Sequence, residues 1–132
     1  MRFTDQFDTA AARDPDALVG RHAVHLVARF LPVPVRFFGH TKVFERTADG
    51  ITGYNAFLGG RVKTGRFRVD RGAAEDGAEV TQIIYDTPAN PFFMRPLTDE
   101  VRETAPGTFL GRGMMRIAGK VRNVFWFTVT RE

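Results

Sequence analysis

Residues 108–131 read TFLGRGMMRIAGKVRNVFWFTVTR: two runs of alternating apolar and polar side chains hinged at Ala118-Gly119-Lys120. A period of two marks a strand with one face buried, so the stretch predicts a β-hairpin. Its apolar pattern also selects a register. With Ala118-Gly119-Lys120 as a three-residue loop, Ile117 faces Val121, Met115 faces Asn123, Gly113 faces Phe125, Gly111 faces Phe127 and Phe109 faces Val129. That set is almost wholly apolar. A two-residue loop puts Arg122 and Thr128 on the same face instead, because a one-residue slip turns every side chain over. Burial therefore predicts the first register. In it Gly111 and Gly113 leave room for Phe127 and Phe125, an aromatic-over-glycine arrangement that lets a sheet bend toward closure. On the outer face Arg112 stands opposite an exposed Trp126 as a cation–π pair, and Arg116 stands opposite Arg122, a repulsion that an anion or acid would relieve.

The same period recurs upstream. Val35, Phe37, Gly39, Thr41 and Val43 fall on one face, with Arg36, His40, Lys42 and Arg46 on the polar one. Ala48-Asp49-Gly50 supplies a turn, residues 51–58 a second strand and Gly59-Gly60 a break. Residues 63–70 form another strand with Phe67 and Val69 inward, and residues 80–85 one more. Pro88 and Pro91 end it, since each removes a ladder donor. Residues 92–97 are apolar and irregular, suited to a lid, a short helix or a plug, and residues 98–104 suit a short strand.

Residues 15–30 carry two patterns. Asp14-Pro15-Asp16 has the N-cap acid and first-turn proline of a helix start, and Val19, Ala23, Leu26, Val27 and Phe30 recur at helical spacing until Pro32. A helix is the expectation. A strand competes, because Val24, His25, Leu26 and Val27 also suit a sheet. Taken together, about seven to nine short strands joined by turns predict a mainly β, antiparallel up-and-down barrel with a short N-terminal helix, as one domain over residues 1–132.

Composition narrows the function. The chain has 13 Phe against one Trp and two Tyr, so its aromatic rings mostly carry no hydrogen-bonding group and suit a dry cavity wall or a packed core. The lack of cysteine excludes disulfides, cysteine nucleophiles and Cys-ligated metals, and fits a reducing compartment. No run resembles a signal sequence or approaches the length of a membrane span, so a cytoplasmic address and no membrane insertion are expected. Net charge is +4, and Arg112, Arg116, Lys120, Arg122 and Arg131 lie in a C-terminal stretch, residues 106–131, that holds no acid.

Gly20-Arg21-His22 near the start of the chain, the meander that follows and Arg131 in the last strand resemble lipocalin-like, or calycin-like, small barrels, with His22 where lipocalins carry tryptophan. Tyr85-Asp86, Pro91, Asp99, Arg102, Leu110-Gly111 and Phe125-Trp126-Phe127 are similar to the end of bacterial GXWXG-type domains, although the GXWXG signature itself is absent. Both resemblances imply a small barrel that holds an apolar ligand. Neither implies an activity.

Residue chemistry yields two candidate sites. A cavity lined by Phe37, Phe67, Phe109, Met115, Phe125 and Phe127, with Tyr54, Tyr85, Asn123 and His22 as polar anchors, would hold a small hydrophobic or amphipathic molecule, carboxylated or not. Alternatively Asp86 and Asp99, flanked by Tyr85 and Arg102, would serve an isomerase, cyclase or hydro-lyase of the same shape. A filled core, serving only structure or interaction, is the third reading. His22 and His25 share a face only if they lie on a helix, and no cofactor or metal is expected. Nucleic acid is not expected as a partner either, because the chosen register buries Phe125 and Phe127.

Overall fold

In the computed structural model, which describes residues 3–10, 12, 14–29, 40–74 and 77–132, the alternating segments close into one barrel. The strands are β1 (Gly20–Arg29), β2 (Thr41–Thr47), β3 (Gly50–Phe57), β4 (Val62–Ala73), β5 (Glu79–Ile84), β6 (Leu97–Ala105), β7 (Thr108–Ile117) and β8 (Lys120–Arg131). Each pairs antiparallel with the next, and β1 pairs with β8 to complete the circle. Residues 35 to 39, including Phe37, lie outside the described residues.

Aromatic-over-glycine packing sets the curvature. Gly111 opposes Phe127 and Gly113 opposes Phe125, the pairs expected from the sequence. A methyl group placed on either glycine would lie 2.3 Å from the ring facing it. Gly53 and Phe67 repeat the device between β3 and β4, at 2.5 Å. Three rings thus lie flat against the inner wall where a side chain on the neighbouring strand would hold them off.

The tip of the last hairpin departs from the expected register. Ile117 opposes Lys120 across a two-residue turn, with Ala118 and Gly119 at φ 52° and 80°, and Met115 opposes Arg122 rather than Asn123. The shift is absorbed at a bulge, where Gly113 pairs with Phe125 but Met114 with Asn123, so Val124 is the extra residue. The bulge keeps Thr128 off the apolar face while Arg122 stays exposed near the turn. Arg116 opposes Val121, so the expected Arg116–Arg122 repulsion does not arise.

The expected helix over residues 15–30 is replaced by a strand. Asp14 does cap a turn, accepting from the Asp16 N–H at 2.9 Å, but the 3-10 turn ends at Leu18 and β1 follows. The helix of the fold lies earlier, as α1 (Phe3–Thr9). Seven residues are too few for a stable free helix, so docking must hold it. Phe7 is fully buried against Trp126, with the guanidinium groups of Arg102 and Arg112 at 4.6 and 4.3 Å from its ring. Trp126 is therefore covered rather than exposed. A bulge in β1 between Leu26 and Ala28 sets its pattern: Val24 and Leu26 face the interior, and Ala28, turned over by the bulge, packs against this outer cluster.

The 3-10 turn closes one end of the barrel. Leu18 joins the interior cluster, and Arg131 donates to the carbonyl oxygens of Val19, at 3.0 Å, and Ala17. Gly111→Ala is expected to cost about 1–3 kcal/mol in urea unfolding, because its methyl must displace Phe127. Shortening the ring as well, in Gly111→Ala with Phe127→Leu, should cost less than the two single losses added. A neutral Gly111→Ala would show that the rings do not set the curvature.

Candidate functional site

The interior is not all phenylalanine. Between Phe67, Phe125 and Phe127 lies a cluster of four polar side chains, Lys42 from β2, Asn55 from β3, Tyr85 just past β5 and Asp99 from β6, all buried. Lys42 was expected on the polar outer face. It points inward instead, because β2 pairs with β3 so that Lys42 meets Asn55 and Phe44 meets Gly53, and these are the barrel-facing positions of both strands. Val43 takes the opposite face, against Tyr54.

Each group is placed by its strand. The Lys42 ammonium donates to Asn55 Oδ1 at 2.6 Å and to the Tyr85 hydroxyl at 2.7 Å. Asn55 is oriented by donating to the Gly65 carbonyl at 2.8 Å, and His40 Nε2 lies 2.7 Å from the same Oδ1 that accepts from Lys42. Tyr85 donates to Asp99 Oδ2 at 3.3 Å, and Lys42 stands 4.0 Å from that oxygen. Asp99 faces Gly113 across β6 and β7, and the Phe125 ring lies over that glycine. The ammonium also lies 5.7, 5.4 and 5.8 Å from the ring centres of Phe67, Tyr85 and Phe127, within cation–π range.

Burial disturbs all three titratable groups. Loss of water pushes the Asp99 carboxyl up to about 6, against the opposing pull of Lys42 and Tyr85. The same loss lowers Lys42 to about 8, with Asp99 resisting. Tyr85 is driven well above its ordinary value by burial and then by the Asp99 charge. At neutral pH the cluster is an ammonium and a carboxylate bridged by a phenol. Asp99 Oδ1 is buried and finds no hydrogen-bond partner among the described residues, and neither does Asn123 Oδ1.

The remaining candidates are dispersed. Phe67, Phe109, Phe125 and Phe127 belong to the interior cluster, and Met115 packs against it. Tyr54 lies on the outer wall, with Lys63 5.0 Å and Arg66 5.7 Å from its ring centre. Of the four residues set aside for acid–base work, Tyr85 and Asp99 meet. Asp86 is exposed, its carbonyl accepting from Arg68, and Arg102 binds the carbonyl oxygens of Phe7 and Glu79 on the outer face. His22 is buried, within 2.8 Å of the Leu18 carbonyl and edge-on to Phe44, while His25 is exposed on the other face of β1. They cannot share a metal from one strand. Burial lowers the His22 pKa, so its ring is neutral and donates to Leu18.

Asn55 and Lys42 escaped the sequence reading. The signal that could have found them is the apolar parity of β3, since Ile51 and Gly53 put Asn55 on the same face.

No family model matches the chain, and no curated protein matches it. Among solved structures, a crystal structure of a protein from Thermomonospora curvata is similar over 98% of this chain and 84% of that one, with a TM-score of 0.56 and 20% identity. At that identity the likeness establishes the eight-stranded fold alone.

The two shifts have opposite slopes. Between 3.8 and about 6 the folded state holds an Asp99 proton that the unfolded chain has lost, so stability falls as pH rises. Between about 8 and 10.5 the unfolded chain holds a Lys42 proton that the folded state has lost, so stability rises with pH. The cost is greatest at neutral pH. Asp99→Asn should flatten the acid limb of a plot of unfolding free energy against pH, and should widen the alkaline limb by stripping Lys42 of its counter-charge. An acid limb unchanged from the parent protein would assign that proton to another group.

Proposed function

We propose that the barrel binds a small amphipathic molecule, its apolar body against the phenylalanines and its polar head on the Lys42–Asn55–Tyr85–Asp99 cluster. The observation that carries this reading is the orphaned Asp99 Oδ1, a buried carboxylate oxygen held beside an ammonium with no protein donor among the described residues. Such an atom costs folding free energy unless something donates to it. A ligand hydroxyl or N–H meets that need.

The ion pair adds weight. Buried pairs of this kind are often no more stable than well-packed apolar side chains of the same volume, so a chain that keeps one inside an aromatic barrel has a use for it. Asp99 already neutralises Lys42, which makes a hydroxyl or carbonyl head a better fit than a carboxylate. The lipocalin-like resemblance supports the same reading, since its two ends meet here: Arg131 pairs with His22 and reaches to 3.0 Å from where a side chain on Gly20 would start.

Catalysis is the second reading, favoured by the raised Asp99 carboxyl beside a neutral phenol. Asp99 would take a proton from a carbon next to a carbonyl that Lys42 and Tyr85 hold and return it to another carbon of the resulting enolate, as an isomerase requires. In this reading Tyr85 and Asp99 are the acid–base pair, and Lys42 takes the place expected of Arg102 as the cation.

Native mass spectrometry of the gently purified protein, against its denatured mass, tests binding. The expected result is a retained small molecule, and Tyr85→Phe should hold roughly tenfold less of it, a loss of the order of one buried charge-assisted hydrogen bond. No retained mass, together with no displaceable binding of an apolar fluorescent probe, would exclude the reading. Solvent deuterium appearing in the released molecule after incubation would favour the isomerase.

A further inference from the structure

The barrel's two ends differ in character. The connections β3–β4, β5–β6 and β7–β8 lie at the end opposite the 3-10 turn, as an up-and-down barrel requires. Of the six large apolar side chains that stand exposed among the described residues, five belong to this end: Leu58, Val62, Phe92, Phe93 and Val121. The sixth, Val27, is on the wall of β1. Three are far out, Leu58 at 76%, Phe92 at 80% and Phe93 at 63% exposure, and the two phenylalanines pack edge-to-face at 5.9 Å.

Charge follows the same division. Arg61, Lys63, Arg95, Arg116, Lys120 and Arg122 all stand exposed at the apolar end, where Asp86 is the single acid in residues 57–63, 85–97 and 114–123. None of the six forms an ion pair among the described residues. At the other end three arginines are matched to acids, Arg46 to Asp16, Arg71 to Asp14 and Glu79, and Arg21 to Glu132, and Arg131 is held by backbone carbonyl oxygens. One end thus combines protruding apolar groups with unneutralised cations.

We propose that this end docks on an anionic lipid bilayer, with Phe92, Phe93 and Leu58 entering the headgroup boundary and the six cations resting on lipid phosphates. Protruding apolar side chains at one end together with lysine and arginine are what an interfacial site requires. Nucleic acid fits less well. Leu58, Val62 and Val121 have no flat face on which a base can stack. Docking here is attachment at the surface, not a span, and no helix among the described residues is long and apolar enough to cross a membrane. The proposal does not depend on what the interior holds.

Co-sedimentation with vesicles tests it. The protein should pellet with phosphatidylcholine vesicles that contain about a third phosphatidylglycerol, should stay in solution with pure phosphatidylcholine, and should be released by high salt. Phe92→Ser with Phe93→Ser, and separately Lys120→Glu with Arg122→Glu, should each weaken the partition roughly tenfold or more while leaving the far-ultraviolet circular dichroism unchanged. A Phe93→Trp reporter should shift to the blue on anionic vesicles, against the constant background of buried Trp126. Equal binding to both kinds of vesicle, or binding to neither, would overturn the proposal. So would dimerisation or oligonucleotide binding that uses these residues in a protein that ignores vesicles.

Discussion

Three phenylalanines lying over three glycines are the constraint on which the rest of the molecule depends. Phe67 over Gly53, Phe127 over Gly111 and Phe125 over Gly113 bend the sheet enough to bring β1 beside β8. The rings that curve the wall also surround the ammonium of Lys42, two of them from opposite sides of the barrel, β4 and β8. Closure and the environment of the site are one arrangement. A residue with a larger side chain at any of these glycines would both flatten the sheet and push a ring toward the polar cluster.

Inside that aromatic shell a charged pair is costly, and its geometry shows how the cost is met. Lys42 spends two donors on Asn55 and Tyr85 rather than on Asp99, which it approaches only to 4.0 Å. Tyr85 transmits part of the interaction by donating to the carboxylate. One carboxylate oxygen is served and the other is not. A bridge with both oxygens satisfied would cost less to bury. The outer polar groups offer the contrast: Arg112 donates to Glu100 at 2.7 Å, and Arg102 donates to backbone carbonyls of Glu79 and Phe7, the latter in α1.

How far the sequence could be read depends on whether each strand buries one face or two. The last hairpin alternates cleanly, and Gly111 opposite Phe127 was legible from parity alone. The bulge at Val124 was not, because an extra residue leaves no mark in a period-two pattern and only the turn geometry at Ala118 and Gly119 demands it. In β1 a bulge between Leu26 and Ala28 breaks the alternation, so that Val24 and Leu26 face the interior and Ala28 the cluster under α1, and the resulting apolar spacing also fits a helix. Lys42 was set outside on the ordinary rule that lysine is solvated. The rule fails where a barrel supplies an amide, a phenol and a carboxylate together, and those partners come from strands 13, 43 and 57 residues away. Tyr85 and Asp99 were legible as chemistry, but their meeting was a consequence of topology.

The most direct test is an experimental electron-density map of the protein purified without detergent or organic solvent, inspected beside Asp99. The account requires an elongated non-protein molecule among Phe67, Phe125 and Phe127, with a hydroxyl or N–H within hydrogen-bond distance of Asp99 Oδ1. Rings in contact across that space, with Oδ1 bonded to a protein donor, would contradict it and leave a filled barrel in which the Lys42–Asp99 pair is structural.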